Sequence, residues 1–229
     1  MTGLSVKIWC GEISTTDAEY PYQLSLLNDN EQRQAENFKN GQLRRRYVAN
    51  RAKLREILAQ VVNCNPESLR IEIAQYGKPY LADHPEIDFN LSHTGNKIAI
   101  AVGYRCQLGI DIELCKTRSS LSALVEKCFD KVEINYWQQL PETLKTQEFY
   151  RFWTRKEAFV KATGRGIALG LKICVINPNQ PNTFLRIPAE FGLPSEWRIH
   201  DMSNLNDVSI VGALVIKADK KLSIEQIFF

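Results

Sequence analysis

Nowhere in its 229 residues does the chain carry an apolar run approaching the roughly 18 residues needed to cross a bilayer, so no membrane-spanning helix and no membrane partner are expected. The opening stretch, MTGLSVKIWCGEI, lacks a basic segment followed by an apolar one and does not read as a secretory signal. The six cysteines, at positions 10, 64, 106, 115, 128 and 174, are scattered, with no CxxC and no metal-type spacing. Without a secretory signal they read as reduced thiols, and the expectation is a cytoplasmic protein. Charge of one sign is also scarce: 29 basic against 26 acidic residues leave a net +3. That is too little for a nucleic-acid partner, although it suits phosphate-bearing ligands or acidic proteins. There is no GxSxG, and the TGRG of residues 163–166 follows a helical stretch and has no GKS or GKT ending. TGRG therefore reads as a helix C-cap, not a phosphate loop.

What is present is ordinary globular material, 44% hydrophobic and 24% charged, enough for one large domain or two small ones. Alternation predicts strands at 5–10 and 69–74, and helical spacing of Leu43, Tyr47, Leu54, Leu58 and Val61 predicts a helix over 42–62. Gly77, Lys78 and Pro79 mark a turn, followed by strands at Phe89–Leu91, Ile98–Gly103 and Leu108–Glu113. The second half opens with helices over 121–129 and 146–162, then turns to short strands at 173–176, 197–200, 208–216 and 224–228. This is an α+β pattern with a long helix and several mostly antiparallel strands in each half. The seam falls near Arg105–Gln107, giving an N-terminal half 1–106 and a C-terminal half 107–229. A ligand between them is a common arrangement. Leu121, Leu124, Val125 and Phe129 share one helix face, which is either core or a groove for a partner.

Residues 109–113, GIDIE, place Asp111 and Glu113 on one face of a strand and Ile110 and Ile112 on the other. Two like charges side by side repel unless something positive lies between them. In the helix over 146–162, Phe149, Phe152, Trp153, Phe159 and Val160 share a broad face with Glu157 and Lys161, four apart, at its edge. That pair is either a solvated helix pair or part of a site. Lys156 falls inside the aromatic stripe, where a charge needs a partner or a route to water. In the first half Arg44, Arg45, Arg46, Arg51, Lys53 and Arg55 read as a solvated basic face, except that Arg51 borders the apolar stripe. Ser92 and His93 lie at a strand end. As strand neighbours they point to opposite faces, which argues against a hydrolase pair. Asp111, Glu113 and Glu157 are oxygen ligands of the kind Mg²⁺ takes together with phosphates and water.

The blocks YGKPYL (76–81), FNLSHTG (89–95), GIDIE (109–113) and FWTRKEAFVKATGRGI (152–167), with the looser RRRYVANR (44–51), resemble in order and spacing those of the 4′-phosphopantetheinyl transferases. The similarity is to the larger, monomeric, Sfp-type enzymes. It implies two similar α/β halves packed as a pseudo-dimer, with the active site in the cleft between them. It also implies transfer of the 4′-phosphopantetheine arm of coenzyme A to a serine of an acyl, polyketide or peptidyl carrier protein, with Mg²⁺ or Mn²⁺. By motif, Asp111, Glu113 and Glu157 match the metal ligands, with Glu157, Lys161 and Lys156 as catalytic candidates. Lys78, Pro79, Ser92, His93 and Lys161 match coenzyme A contacts, and Arg46 and Arg51 match the basic helix near its phosphates. The segment NDNEQRQAENF (28–38) departs from relatives that carry lysines there for the 3′-phosphate. A non-catalytic module that binds coenzyme A or a nucleotide is the alternative.

Overall fold

Caps and turns decide where the helices begin and end. In the computed structural model, which describes residues 4–166, 169–202, 205, 209–218 and 221–229, strand β1 (Leu4–Glu12) leads into two short helices, α1 (Tyr20–Ser25) and α2 (Asp29–Glu36). Helix α2 opens with a reciprocal capping box between Asn28 and Glu31. The 22-residue α3 (Gly41–Val62) starts where the Asn40 side chain accepts the amides of Gln42 and Leu43. It stops at Asn63, which is left-handed at φ 56°. Strands β2 (Ile71–Ile73), β3 (Pro79–Leu81), β4 (Ile87–Thr94), β5 (Lys97–Tyr104) and β6 (Gln107–Leu114) follow. Then come α4 (Leu121–Cys128), α5 (Lys131–Gln138) and the 22-residue α6 (Glu142–Thr163), which ends on left-handed Gly164 as TGRG foretold. The chain finishes with β7 (Val175–Ile176), β8 (Phe184–Arg186), β9 (Trp197–Asp201), β10 (Ile210–Lys217) and β11 (Leu222–Phe228). Ile167 and Val208, at the ends of two expected segments, lie outside the described residues.

Two sheets carry the architecture, one ordered β11-β1-β5-β4 and one β6-β10-β9. Three apolar cores layer them. Helix α3 packs Leu54 and Leu58 against Trp9, Phe89 and Ile100 of the first sheet. Val6, Ile8 and Ala101 meet Ile110, Ile112 and Leu214 between the sheets. Helix α6 packs Phe159 and Val160 with Val211 and Val215 of the second sheet. The mixed α+β architecture of two similar halves is thus present, each half offering a 22-residue helix over a mostly or wholly antiparallel sheet. One strand crosses back: β11, from the end of the chain, pairs parallel with β1 in the first sheet.

The α4 stripe is core. Leu121, Val125 and Phe129 are buried, and Leu124 is half-buried against the same cluster. Among the described residues, α6 and the turn at Leu171 pack against that face.

Lys156 is wholly buried, and so is the side chain of Glu133 with which it pairs at 2.7 Å. The ammonium also donates to the carbonyls of Leu171 (3.0 Å) and Cys174 (2.6 Å). Glu133 accepts the amides of Asp130 and Ile176, both at 2.7 Å, so it caps α5 and ties it to β7. This is the structural-carboxylate partner that a lysine inside an aromatic stripe demands.

Gly109 decides how closely α6 approaches β6. A Cβ there would meet the Ala158 carbonyl at 2.1 Å and the Ala162 amide at 2.4 Å. Backbone lies against backbone, so nothing flexible can yield.

Two outcomes follow for stability. Gly109→Ala is expected to destabilise the fold by about 1–3 kcal/mol or more in urea denaturation, because it drives helix from strand. Lys156→Met strands a buried carboxylate and is expected to cost roughly 3–5 kcal/mol by the same measurement. A Lys156→Met protein as stable as wild type would show that the buried pair does not hold the second half.

Candidate functional site

The strand–helix contact at Gly109 brings four ionisable side chains together. On β6, Asp111 and Glu113 share a face; on α6, Trp153, Glu157 and Lys161 share one at spacing of four. Opposite them, Leu43, Arg46, Tyr47, Asn50 and Arg51 form one face of α3 at helical spacing. All ten line a single cavity of about 630 Å³, completed by Phe38 and by Leu91, Ser92 and His93 of β4. The cavity therefore has an arginine wall from the first half and an acidic wall from the second.

The arginine wall is short of partners. Arg46 Nε and Arg51 NH1 are buried and find no hydrogen-bond acceptor among the described residues. The Arg51 guanidinium lies 5.7 Å from the centre of the Tyr47 ring. Tyr47 in turn packs against Phe38, with ring centroids 5.3 Å apart. Buried guanidinium donors left over in this way call for an anion with several oxygens.

The acidic wall is under electrostatic tension. Asp111 is buried, more enclosed than an open cleft ligand would be. Its Oδ1 accepts from Ser92 Oγ at 2.8 Å and from Lys161 Nζ at 2.7 Å, whereas Oδ2 has no partner among the described residues. Burial raises its pKa, against the pull of Lys161 and Ser92. Burial and the neighbouring charge of Asp111 raise Glu113, and burial followed by Asp111 pushes Glu157 up to about 7. His93 is held below its ordinary value by loss of solvent contact around the ring, then by Lys161 and Arg46.

Among the described residues no cluster of three or more His, Cys, Asp or Glu side chains is gathered to hold a metal ion. The donor chemistry nevertheless fits a hard cation. The three acids offer oxygen alone, one buried oxygen is unpartnered, and each acid is strained by burial or by its neighbour's charge.

Several expected site residues lie elsewhere. Lys156 is in the core of the second half and does not line the cavity. Lys78 does not line it either. Its ammonium pairs with Asp88 at 3.0 Å and donates to the carbonyls of Leu108 (3.1 Å) and Ala162 (3.4 Å). Pro79, the first residue of β3, is also off the cavity wall. The departure at 28–38 has a structural counterpart: that segment is α2, whose Glu31 binds the buried Arg55 at 2.6 Å. Conversely, Phe38, Leu43, Tyr47, Asn50, Leu91 and Trp153 line the cavity without having been assigned to it from the sequence. Asn50 was within reach of sequence reasoning, lying four residues beyond Arg46 on the same helix face.

Comparison with known proteins gives the same assignment in both halves. A family model for the 4′-phosphopantetheinyl transferase superfamily matches residues 107–213, and one for the N-terminal part of a 4′-phosphopantetheinyl transferase matches residues 12–104. The 4′-phosphopantetheinyl transferase HetI of Nostoc sp. is 33% identical over 188 residues, covering 80% of this chain and 79% of the relative. A putative 4′-phosphopantetheinyl transferase of Synechocystis sp., slr0495, is 30% identical and covers 82% and 76%. The 4′-phosphopantetheinyl transferase Sfp of Bacillus subtilis is 30% identical over about half of each chain, 52% and 51%. Aligned along most of its length with such relatives, and matched in each half separately, the chain belongs to the 4′-phosphopantetheinyl transferase superfamily.

Proposed function

We propose that this protein transfers the 4′-phosphopantetheine arm of coenzyme A to a serine hydroxyl of an apo carrier protein, leaving holo-carrier and 3′,5′-ADP. The observation that carries the reading is the single cavity with unpartnered guanidinium atoms on one wall and three acids with a lysine on the other. Coenzyme A is a polyanion. Arg46, Arg51 and His93 supply donors for its phosphates, and the rings of Phe38 and Tyr47 supply apolar surface beside them. A module that only bound coenzyme A would need the arginine wall and would have no use for the acids, whose burial costs free energy.

Asp111, Glu113 and Glu157 would hold Mg²⁺ or Mn²⁺. Such an ion, when bound, offsets the carboxylates and draws charge from the phosphates. In the transfer the serine oxygen bonds to the phosphorus bearing pantetheine, and the bond from that phosphorus to the bridging oxygen breaks. Lys161, which lines the cavity and binds Asp111, would donate to the phosphate oxygens as charge builds on the leaving 3′,5′-ADP. Glu157 is our candidate to take the serine proton. Both walls come from one chain, so the site needs no second copy and a monomer suffices; residues 1–106 and 107–229 serve as its two halves, except that β11 of the second joins the sheet of the first. No helix among the described residues is long and apolar enough to cross a membrane.

The test is mass spectrometry of apo fatty-acid, polyketide and peptide carriers incubated with the protein, coenzyme A and Mg²⁺. One phosphopantetheine is expected on the carrier serine, and no mass gain on any carrier class overturns the reading. Arg51→Ala is expected to raise the KM for coenzyme A about 10- to 100-fold with kcat little changed. Glu157→Gln is expected to lower kcat about 100-fold or more while KM stays near wild type. Equal kcat losses in both variants would dissolve the distinction between the two walls.

A further inference from the structure

Among the described residues no strand pairs by backbone hydrogen bonds with the outer edge of β6, yet its amides are paired. Leu108, Ile110, Ile112 and Leu114 donate to Asp88 Oδ2 (2.9 Å), Asn90 Oδ1 (3.1 Å), Ser92 Oγ (3.2 Å) and Thr94 Oγ1 (3.2 Å). These acceptors are four alternate side chains on one face of β4, each 20 residues from its donor. A ladder of side chains therefore stands where a backbone ladder would be, and it sets the register of the acidic strand against the arginine half.

One rung bears on the chemistry directly. Residue Ile110 is held at both of its backbone polar atoms: its amide N–H by Asn90 Oδ1, and its carbonyl, in the next peptide, by Lys161 Nζ at 3.1 Å. The same ammonium binds Asp111 Oδ1. Asn90 is buried and does not itself line the cavity. We propose that Asn90 is a positioning residue, fixing the backbone of Ile110 so that the Ile110 carbonyl aims Lys161 at the phosphate being transferred. The inference rests on the transferase reading above.

The other rungs say which substitutions preserve the contact. Thr94 does at its position what Asn90 does at its own, so a threonine hydroxyl is a competent acceptor in this ladder. Thr and Val have nearly the same shape and differ in that hydroxyl. Asn90→Thr and Asn90→Val thus separate the acceptor from the packing.

The experiment measures kcat and the KM for coenzyme A on both variants, well below their melting temperatures, beside the wild type. Asn90→Val is expected to lose kcat by about 10-fold or more with KM for coenzyme A within about threefold, because the loss falls on a group acting in the transition state. Asn90→Thr is expected to retain kcat within about threefold of wild type, because its hydroxyl keeps the acceptor that valine lacks. Equal kcat in the two variants overturns the proposal. So does failure of both Asn90→Val and Asn90→Ala to fold while Asn90→Thr folds normally, which would make Asn90 a residue of the fold alone. The wild-type control separates two failures: an inactive wild type counts against the transferase reading, an active one with indifferent variants against Asn90.

Discussion

The polar face of β4 is the constraint on which the site depends. Four side chains two residues apart hold the free edge of β6, so the acidic strand has one register relative to the arginine helix. An unpaired strand edge buried at a joint would strand a row of amides, each at a cost of about 1–3 kcal/mol. Side chains relieve that cost without fusing the two sheets into one. They also leave β6 free on its other side to pair with β10. Lys78 closes the end of the joint, pairing with Asp88 and holding the Leu108 carbonyl and the last turn of α6. Its place is between the halves, where it binds parts of the protein and not the cavity.

Against this fixed frame the site stores opposed charge. Burial raises the proton affinity of Asp111, Glu113 and Glu157, the charge of Asp111 adds to it at both glutamates, and Lys161 only partly offsets these effects. Across the cavity Arg46 and Arg51 keep donors without acceptors. Both walls gain by taking up a polyanion with its counter-cation, one by acquiring acceptors and the other by sharing positive charge. Gly109 makes this possible at short range, since any larger residue would hold α6 off the strand.

Much of this was legible in the chain. Asp111 and Glu113 had to share a face because a strand repeats every two residues, and Glu157 with Lys161 because a helix nearly repeats every four. A lysine among aromatic residues announced a buried partner, though nothing in the sequence picked out Glu133, 23 positions earlier. Lys78 shows the limit. Motif resemblance pointed it at coenzyme A, while its contacts come from carbonyls 30 and 84 residues away, which no local pattern reveals. The short helices α1, α2 and α5 were missed because they are defined by caps and by Pro21, with too few turns for a periodic stripe. The alternation of Asp88, Asn90, Ser92 and Thr94 was visible, but only Ser92 and His93 were weighed, as ligand contacts. A polar face on a strand between apolar neighbours is itself a signal that something other than water lies against it.

The central claim is that side chains of β4, and not solvent, satisfy the outer edge of the acidic strand. Amide hydrogen exchange followed by NMR on the unliganded wild-type protein tests it residue by residue. The account predicts slow exchange at Leu108, Ile110, Ile112 and Leu114 as well as at the alternate amides Gly109, Asp111 and Glu113 that face β10. Fast exchange at the first four with protection at the other three would contradict it, because that is the behaviour of a strand with a solvent-exposed edge.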